Sequence, residues 1–226
     1  MRPAPALLAV VALWGLPALV VRAAEPAPVV VLRVSAAPLP GRDAEAMPPR
    51  FALMEDGTAY IGGTSDVLTT RLEGSDVNAI EKDIDRIRKI PGLASRVDLG
   101  KGDRRYRILV TKGKPLDLTA VGDLAGASPA FRPVVSLITR LTDFGGPGLR
   151  PYRPASFALS AREEALPGGC RSWTFPVTPA QALASPQLVS AAVAETWPTG
   201  GDVASVCAGD KRYVVELRPT LPGERR

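Results

Sequence analysis

The chain has 226 residues, a formal net charge of +5 and 46% hydrophobic residues. That length allows one domain or two small ones with a real core, and the weak positive balance gives no reason to expect nucleic acid as a partner. There is no histidine, which excludes Ser-His-Asp and Cys-His catalysis and most zinc sites.

The N-terminus reads as a targeting segment. Arg2 supplies a positive start, Ala6 to Val21 is an uncharged apolar run, and Val21-Arg22-Ala23 fits the small-x-small cleavage rule. The alternative is a membrane anchor, but Gly15 and Pro17 interrupt a run already short for a full span. Cleavage after Ala23 is therefore expected, with membrane contact only through an uncleaved segment. Neither cysteine lies at the cleavage site, so lipid attachment there is not supported.

Val29 to Val34 has strong β-forming composition and reads as a first strand. Ala36 to Pro49, rich in Ala and Pro, reads as a linker. Arg50 to Gly63 reads as a hairpin turning on Asp56-Gly57, a dipeptide that suits a two-residue type I′ turn. That loop would set Leu53 opposite Tyr60 and Ala52 opposite Ile61. Phe51, Leu53 and Tyr60 would then share one face, and Ala52, Met54, Ala59 and Ile61 the other. Both faces are apolar, which suits an inner position in a sheet. Val67 to Leu72 continues as a third strand.

Ser75 to Ile90 is predicted to be a helix, since Val77, Ile80, Ile84 and Ile87 recur at helical spacing. Ser75 suits its cap, Asp76 its first turn, and Asp85 can pair with Lys89 one turn on. Pro91-Gly92 ends it. Arg104 to Val121 reads as a second hairpin. A three-residue loop at Lys112-Gly113-Lys114 matches Val110 with Leu116 and Ile108 with Leu118, whereas a two-residue loop loses that match. Ala130 to Phe144 is a second helix with Val134, Leu137, Ile138 and Leu141 on its apolar face, Pro133 lying in its first turn. Beyond it, Ser156 to Ala161 reads as a strand, and Thr178-Pro179 opens a short helix to Ala184. Ser190 to Thr196 fits either state. Arg212 to Arg218 is a strand with Tyr213, Val215 and Leu217 on one face.

The stretch from Phe51 to Phe144 runs Asp-Gly-Thr-x-Tyr, then Leu72-x-x-x-Asp76 into an amphipathic helix, a hairpin through Lys-Gly-Lys, and another helix. In that order it resembles a loose group of uncharacterised exported bacterial domains. The resemblance covers under half the chain. It implies bacterial export and an α+β fold, and carries no activity and no functional residues.

The expected architecture is α+β: a mostly antiparallel sheet with two main helices, followed by a smaller β-rich, disulfide-stapled unit. The expected divisions are 1–23 signal peptide, 24–49 strand and Ala/Pro-rich linker, 50–149 α+β domain, 150–222 C-terminal β-rich unit and 223–226 tail. Cys170 and Cys207 are the only cysteines. In an exporting compartment they admit one intramolecular bridge, the rivals being two buried thiols or a bridge to another chain.

Few residues carry chemistry. The Gly-rich stretches at 145–148 and 168–170 lack the Lys-Ser/Thr of a phosphate loop, so no cofactor, no metal and no catalytic residue is expected. A glycosidase-like hydrolase needs only two carboxylates at a set distance, with Asp56, Glu163 and Glu164 as available members. Adjacent acids on a regular strand face opposite ways, so Glu163 and Glu164 cannot form such a pair together. Trp173, Phe175 and Trp197 are candidates to line a groove for sugar or peptide, although aromatics near a disulfide more often pack over it. Residues 81 to 114 carry eleven Lys/Arg against five Asp/Glu, while 25 to 80 carry four Arg against eight acids. Arg86, Lys89, Arg104 and Arg105 are thus a candidate anion patch, against the plainer reading of a solvated helix face beside an exposed hairpin. The reading that follows is an exported, non-catalytic module with a binding or envelope-associated role, and the two-carboxylate hydrolase is the alternative. Mass spectrometry of the exported protein should find a chain beginning at Ala24. A mature chain that retains Trp14 would contradict the cleavage.

Overall fold

The computed structural model describes residues 26–35, 48–62, 66–146, 148–198 and 203–224. The signal segment and the linker as far as residue 47 lie outside them.

β1 (Pro28–Ser35) is the central strand of the larger sheet, as its valine-rich composition suggests. β2 (Phe51–Met54) and β3 (Thr58–Ile61) form the hairpin on one side of it, and β4 (Leu68–Arg71) extends the sheet. The hairpin register corrects the sequence reading by one residue. Leu53 pairs with Ala59, Ala52 with Tyr60 and Phe51 with Ile61. The cause is the loop. Only Gly57 takes a positive φ, +83°, and Asp56 does not, so the type I′ turn, which needs both, does not form. Instead the Gly57 N–H bonds the Met54 carbonyl at 3.0 Å, and Asp56 Oδ1 accepts the Thr58 N–H at 2.9 Å. Ala59 and Ile61 therefore join Phe51 and Leu53 in the main core, and Tyr60 turns to the opposite face with Ala52 and Met54.

α1 (Gly74–Arg88) follows. Its start is set from outside: the Leu72 N–H bonds the Gly57 carbonyl at 2.9 Å, and Glu73, with extended backbone, stands at the cap. Ser75 is accordingly inside the helix and caps nothing. β5 (Arg96–Asp98), β6 (Arg105–Val110) and β7 (Leu116–Val121) complete this side of the sheet. The β6–β7 register is the expected one, with Val110 opposite Leu116 and Ile108 opposite Leu118. β5 pairs with β7 in parallel. Gly122 is required there, because a Cβ on it would lie 2.7 Å from the Gly100 carbonyl oxygen. A short 3-10 turn, Pro129–Phe131, leads into α2 (Arg132–Thr142), with Pro133 in its first turn.

The strand order of this eight-stranded sheet is β5-β7-β6-β1-β2-β3-β4-β8, the last being β8 (Arg150–Pro151). α1 and α2 cover one face, where Leu32, Phe51, Ile80, Ile87, Ile108, Leu118, Leu137 and Leu141 are buried together. Every residue named above as an expected core hydrophobe of the two helices and two hairpins is buried, apart from the half-buried Val77 and Leu116.

The second sheet has five strands: β9 (Ser156–Glu163), β10 (Arg171–Ser172), β11 (Gln187–Ser190), β12 (Val203–Ala208) and β13 (Lys211–Pro219). Their order is β10-β12-β13-β9-β11, with β10 and β12 parallel. α3 (Pro179–Ala184) starts at Thr178, whose hydroxyl accepts the Gln181 N–H in a reciprocal capping box. The ambiguous stretch resolves as the end of β11 followed by a single turn, α4 (Ala191–Ala194). Tyr213, Val215 and Leu217 share the core of this sheet. Each sheet thus contains a parallel pair and is mixed rather than mostly antiparallel, and four helices stand among the described residues where two main ones were expected. The sheets meet through Leu221, which packs with Ala52, Met54 and Tyr60, and through Tyr152, whose ring meets Tyr60 edge-on at 4.9 Å and whose hydroxyl donates to the Thr220 carbonyl.

One buried charge fixes the helices to each other. Asp83 is 1% exposed. Its Oδ1 accepts from Arg86 at 3.0 Å and its Oδ2 from Arg140 of α2 at 2.9 Å. Asp83→Ala should lower the unfolding free energy by about 2 kcal/mol, the scale of charge-assisted hydrogen bonds lost. Asp83→Asn should recover little of it, because its amide would turn a donor toward one arginine. Equilibrium denaturation measures both, and a wild-type midpoint in either variant would contradict the clamp.

Candidate functional site

A cleft of about 460 Å³ lies beneath α1, lined along the helix from Val77 to Arg88. Its floor is Val29 and Val30 of β1, Leu53 and Met54 of β2, and Val110 of β6; its roof is Val77, Ile80 and Ile84 of α1. The turns after β2 and β6 supply the mouth, with Glu55 and Gly57 on one side and Lys112 and Gly113 on the other. The volume lies within the range of small-molecule sites, and an apolar lining with a few charged groups at the rim is their usual character.

The rim charges are mostly engaged with each other. Arg88 Nη1 donates to Asp85 at 3.2 Å, and Arg88 Nη2 reaches the carbonyls of Lys112 and Lys114. Asp85 therefore pairs three residues on, with Arg88, rather than with Lys89. Lys112 meets Glu81 of α1 at 3.5 Å, both well exposed. These bonds hold the C-terminal half of α1 onto the β6–β7 turn. Sequence reasoning placed Val77, Ile80 and Ile84 on a buried face but not on a cleft wall. It also passed over Asp83, although an acid in phase with Ile80, Ile84 and Ile87 was the available signal.

The aromatic candidates come together. Trp173 meets Phe175 at 5.2 Å and Tyr213 at 5.6 Å between ring centroids, and Phe175 lies 4.5 Å from Trp197. The Arg171 guanidinium sits 5.5 Å from the Trp197 ring centroid, and Trp173 Nε1 donates to the Val177 carbonyl at 2.7 Å. Phe175 is buried and both tryptophans are half-buried. These rings pack on one another in the core of the smaller sheet, next to the disulfide between Cys170 and Cys207, whose Cα atoms are 5.6 Å apart. Such a bridge is consistent with an exported, oxidising location.

The basic candidates divide. Arg86 and Lys89 border a shallow groove with Arg96, Leu93 and Phe131, and Arg86 is spent on Asp83. Arg104 and Arg105 are exposed and do not line it. Nor does the structure bring the three acids together. Asp56 is held by the Thr58 hydroxyl and N–H in the larger sheet. Glu163 and Glu164 lie at the end of β9 and just beyond it in the smaller one, bonded to Lys211 at 2.9 Å and to Arg162. The Glu163 carboxylate, by accepting that bond, holds the Lys211 ammonium above its ordinary range. None of the three lines the cleft under α1. Among the described residues no group of three or more His, Cys, Asp or Glu is placed to hold a metal ion.

No family model, curated protein or solved structure matches this chain. Native, unreduced protein should take up no thiol label, and replacing both cysteines by serine should cost roughly 4 kcal/mol of stability on the chain-entropy scale. Two reactive thiols in the native protein would contradict the bridge.

Proposed function

We propose that the protein is an exported, non-catalytic binding module and that the cleft under α1 is its ligand site. The observation that carries this reading is the character of the cleft. Its interior walls are valine, isoleucine and leucine, and two of the three carboxylates in its lining, Glu81 and Asp85, are paired with Lys112 and Arg88. What such walls offer a ligand is removal of apolar surface from water, about 25 cal/mol per Å². The paired charges at the mouth keep the rim wet and orient whatever enters. Export is supported by the apolar N-terminal run, with its small-x-small site, and by the disulfide.

A short uncharged alkanol is a suitable probe. Octanol should bind saturably to the purified protein and shift the NMR resonances of Val77, Ile80 and Ile84. Val77→Phe, which fills the cleft from a half-buried helix position, should weaken that binding at least tenfold with little change in the unfolding midpoint. Octanol shifts centred on Trp173 and Trp197 instead, or undiminished binding in the folded variant, would contradict the proposal.

A further inference from the structure

We infer that the cleft takes an amphiphile with an apolar tail and one cationic head, and that Glu55 receives the head. This rests on the cleft being the ligand site and adds the class of ligand. The walls accommodate the tail. The head is selected by which rim charges remain available. Asp85 is paired with Arg88, and Glu81 with Lys112. Both bases of the lining are therefore already matched by acids. Glu55 is the exception: it is exposed, lines the mouth, and has no ion-pair partner among the described residues. Its place is fixed by the backbone, since its N–H bonds the Ala27 carbonyl at 3.0 Å.

The surroundings deepen the preference. Asp56 is next in the turn, and the bond from Leu72 to Gly57 brings Glu73 to the same corner. One base, Arg71, stands opposite Thr58 in the β3–β4 register, but it forms no ion pair among the described residues and is not part of the lining. An anionic head at the mouth would face unneutralised carboxylates, while a cationic head would complete a pair with Glu55.

Octylamine, octanol and octanoate share a tail and differ in the head, so their affinities isolate the head's contribution. In low salt octylamine should bind about fivefold tighter than octanol, the upper range for an exposed pair, and octanoate should bind weakest. In Glu55→Gln, octylamine should bind no tighter than octanol does to the same variant. High salt should act in the same direction. Octanoate binding as tightly as octylamine, or an amine preference that survives Glu55→Gln, would overturn the inference and leave the cleft reading standing. Failure of all three to bind would overturn the cleft reading itself.

Discussion

Asp83 is the constraint on which the helical layer depends. It lies in the apolar stripe of α1, between Ile80 and Ile87, and is nearly inaccessible to water. A carboxylate there is tolerable only because both oxygens accept hydrogen bonds from arginines, one on its own helix and one on α2. Those arginines keep part of their surface in water, 65% for Arg86 and 42% for Arg140, so the pair does not carry the cost of two fully desolvated ions. The result is that α1 is anchored from Asp83 onward, first to α2 and then, through Arg88, to the β6–β7 turn. The helix start is held by one backbone bond upstream, from Leu72 to Gly57. Between these fixed points Val77 and Ile80 span the cleft, and Ile84 lines it just past Asp83. A sealed empty void of that volume would cost on the order of 10 kcal/mol, comparable to the whole stability of a domain. The cleft exists because it opens to solvent between two charged turns.

The same ion pairing accounts for the fate of the basic stretch. Its local excess of arginine and lysine suggests a patch, yet Arg86, Arg88 and Arg107 each meet an aspartate. Arg107 donates to Asp117 across the β6–β7 pair, and that bond lowers the carboxyl below its usual range. A run of charge in sequence became cross-links between a helix, a hairpin and a neighbouring helix.

The legible parts of the fold were those with a local or a symmetric signal. The β6–β7 register followed from matching Ile108 and Val110 to Leu118 and Leu116, because burial penalises any slip. Thr178 announced its helix, and two cysteines in one chain left a single internal pairing. The β2–β3 register was misread because Asp56-Gly57 supports two loop geometries, and Asp56's side-chain bond to Thr58 selects the one with a single positive φ. β5, β10 and β12 gave too little local pattern: two are only two or three residues long, and β5 and β10 pair in parallel with strands distant in sequence. The cleft was illegible for a different reason. Periodicity tells which face of α1 turns inward but not whether the inside is filled.

Amide hydrogen exchange along α1, with and without octanol, tests most directly whether the helix roofs a ligand site. The account predicts slow exchange from Asp83 to Arg88 in the free protein, faster exchange from Val77 to Ile80, and added protection on ligand binding confined to Val77–Ile84 and to the turns at Glu55–Gly57 and Lys112–Gly113. Uniformly slow exchange along the helix that octanol leaves unchanged, or protection gained around Trp173 and Trp197 instead, would contradict it.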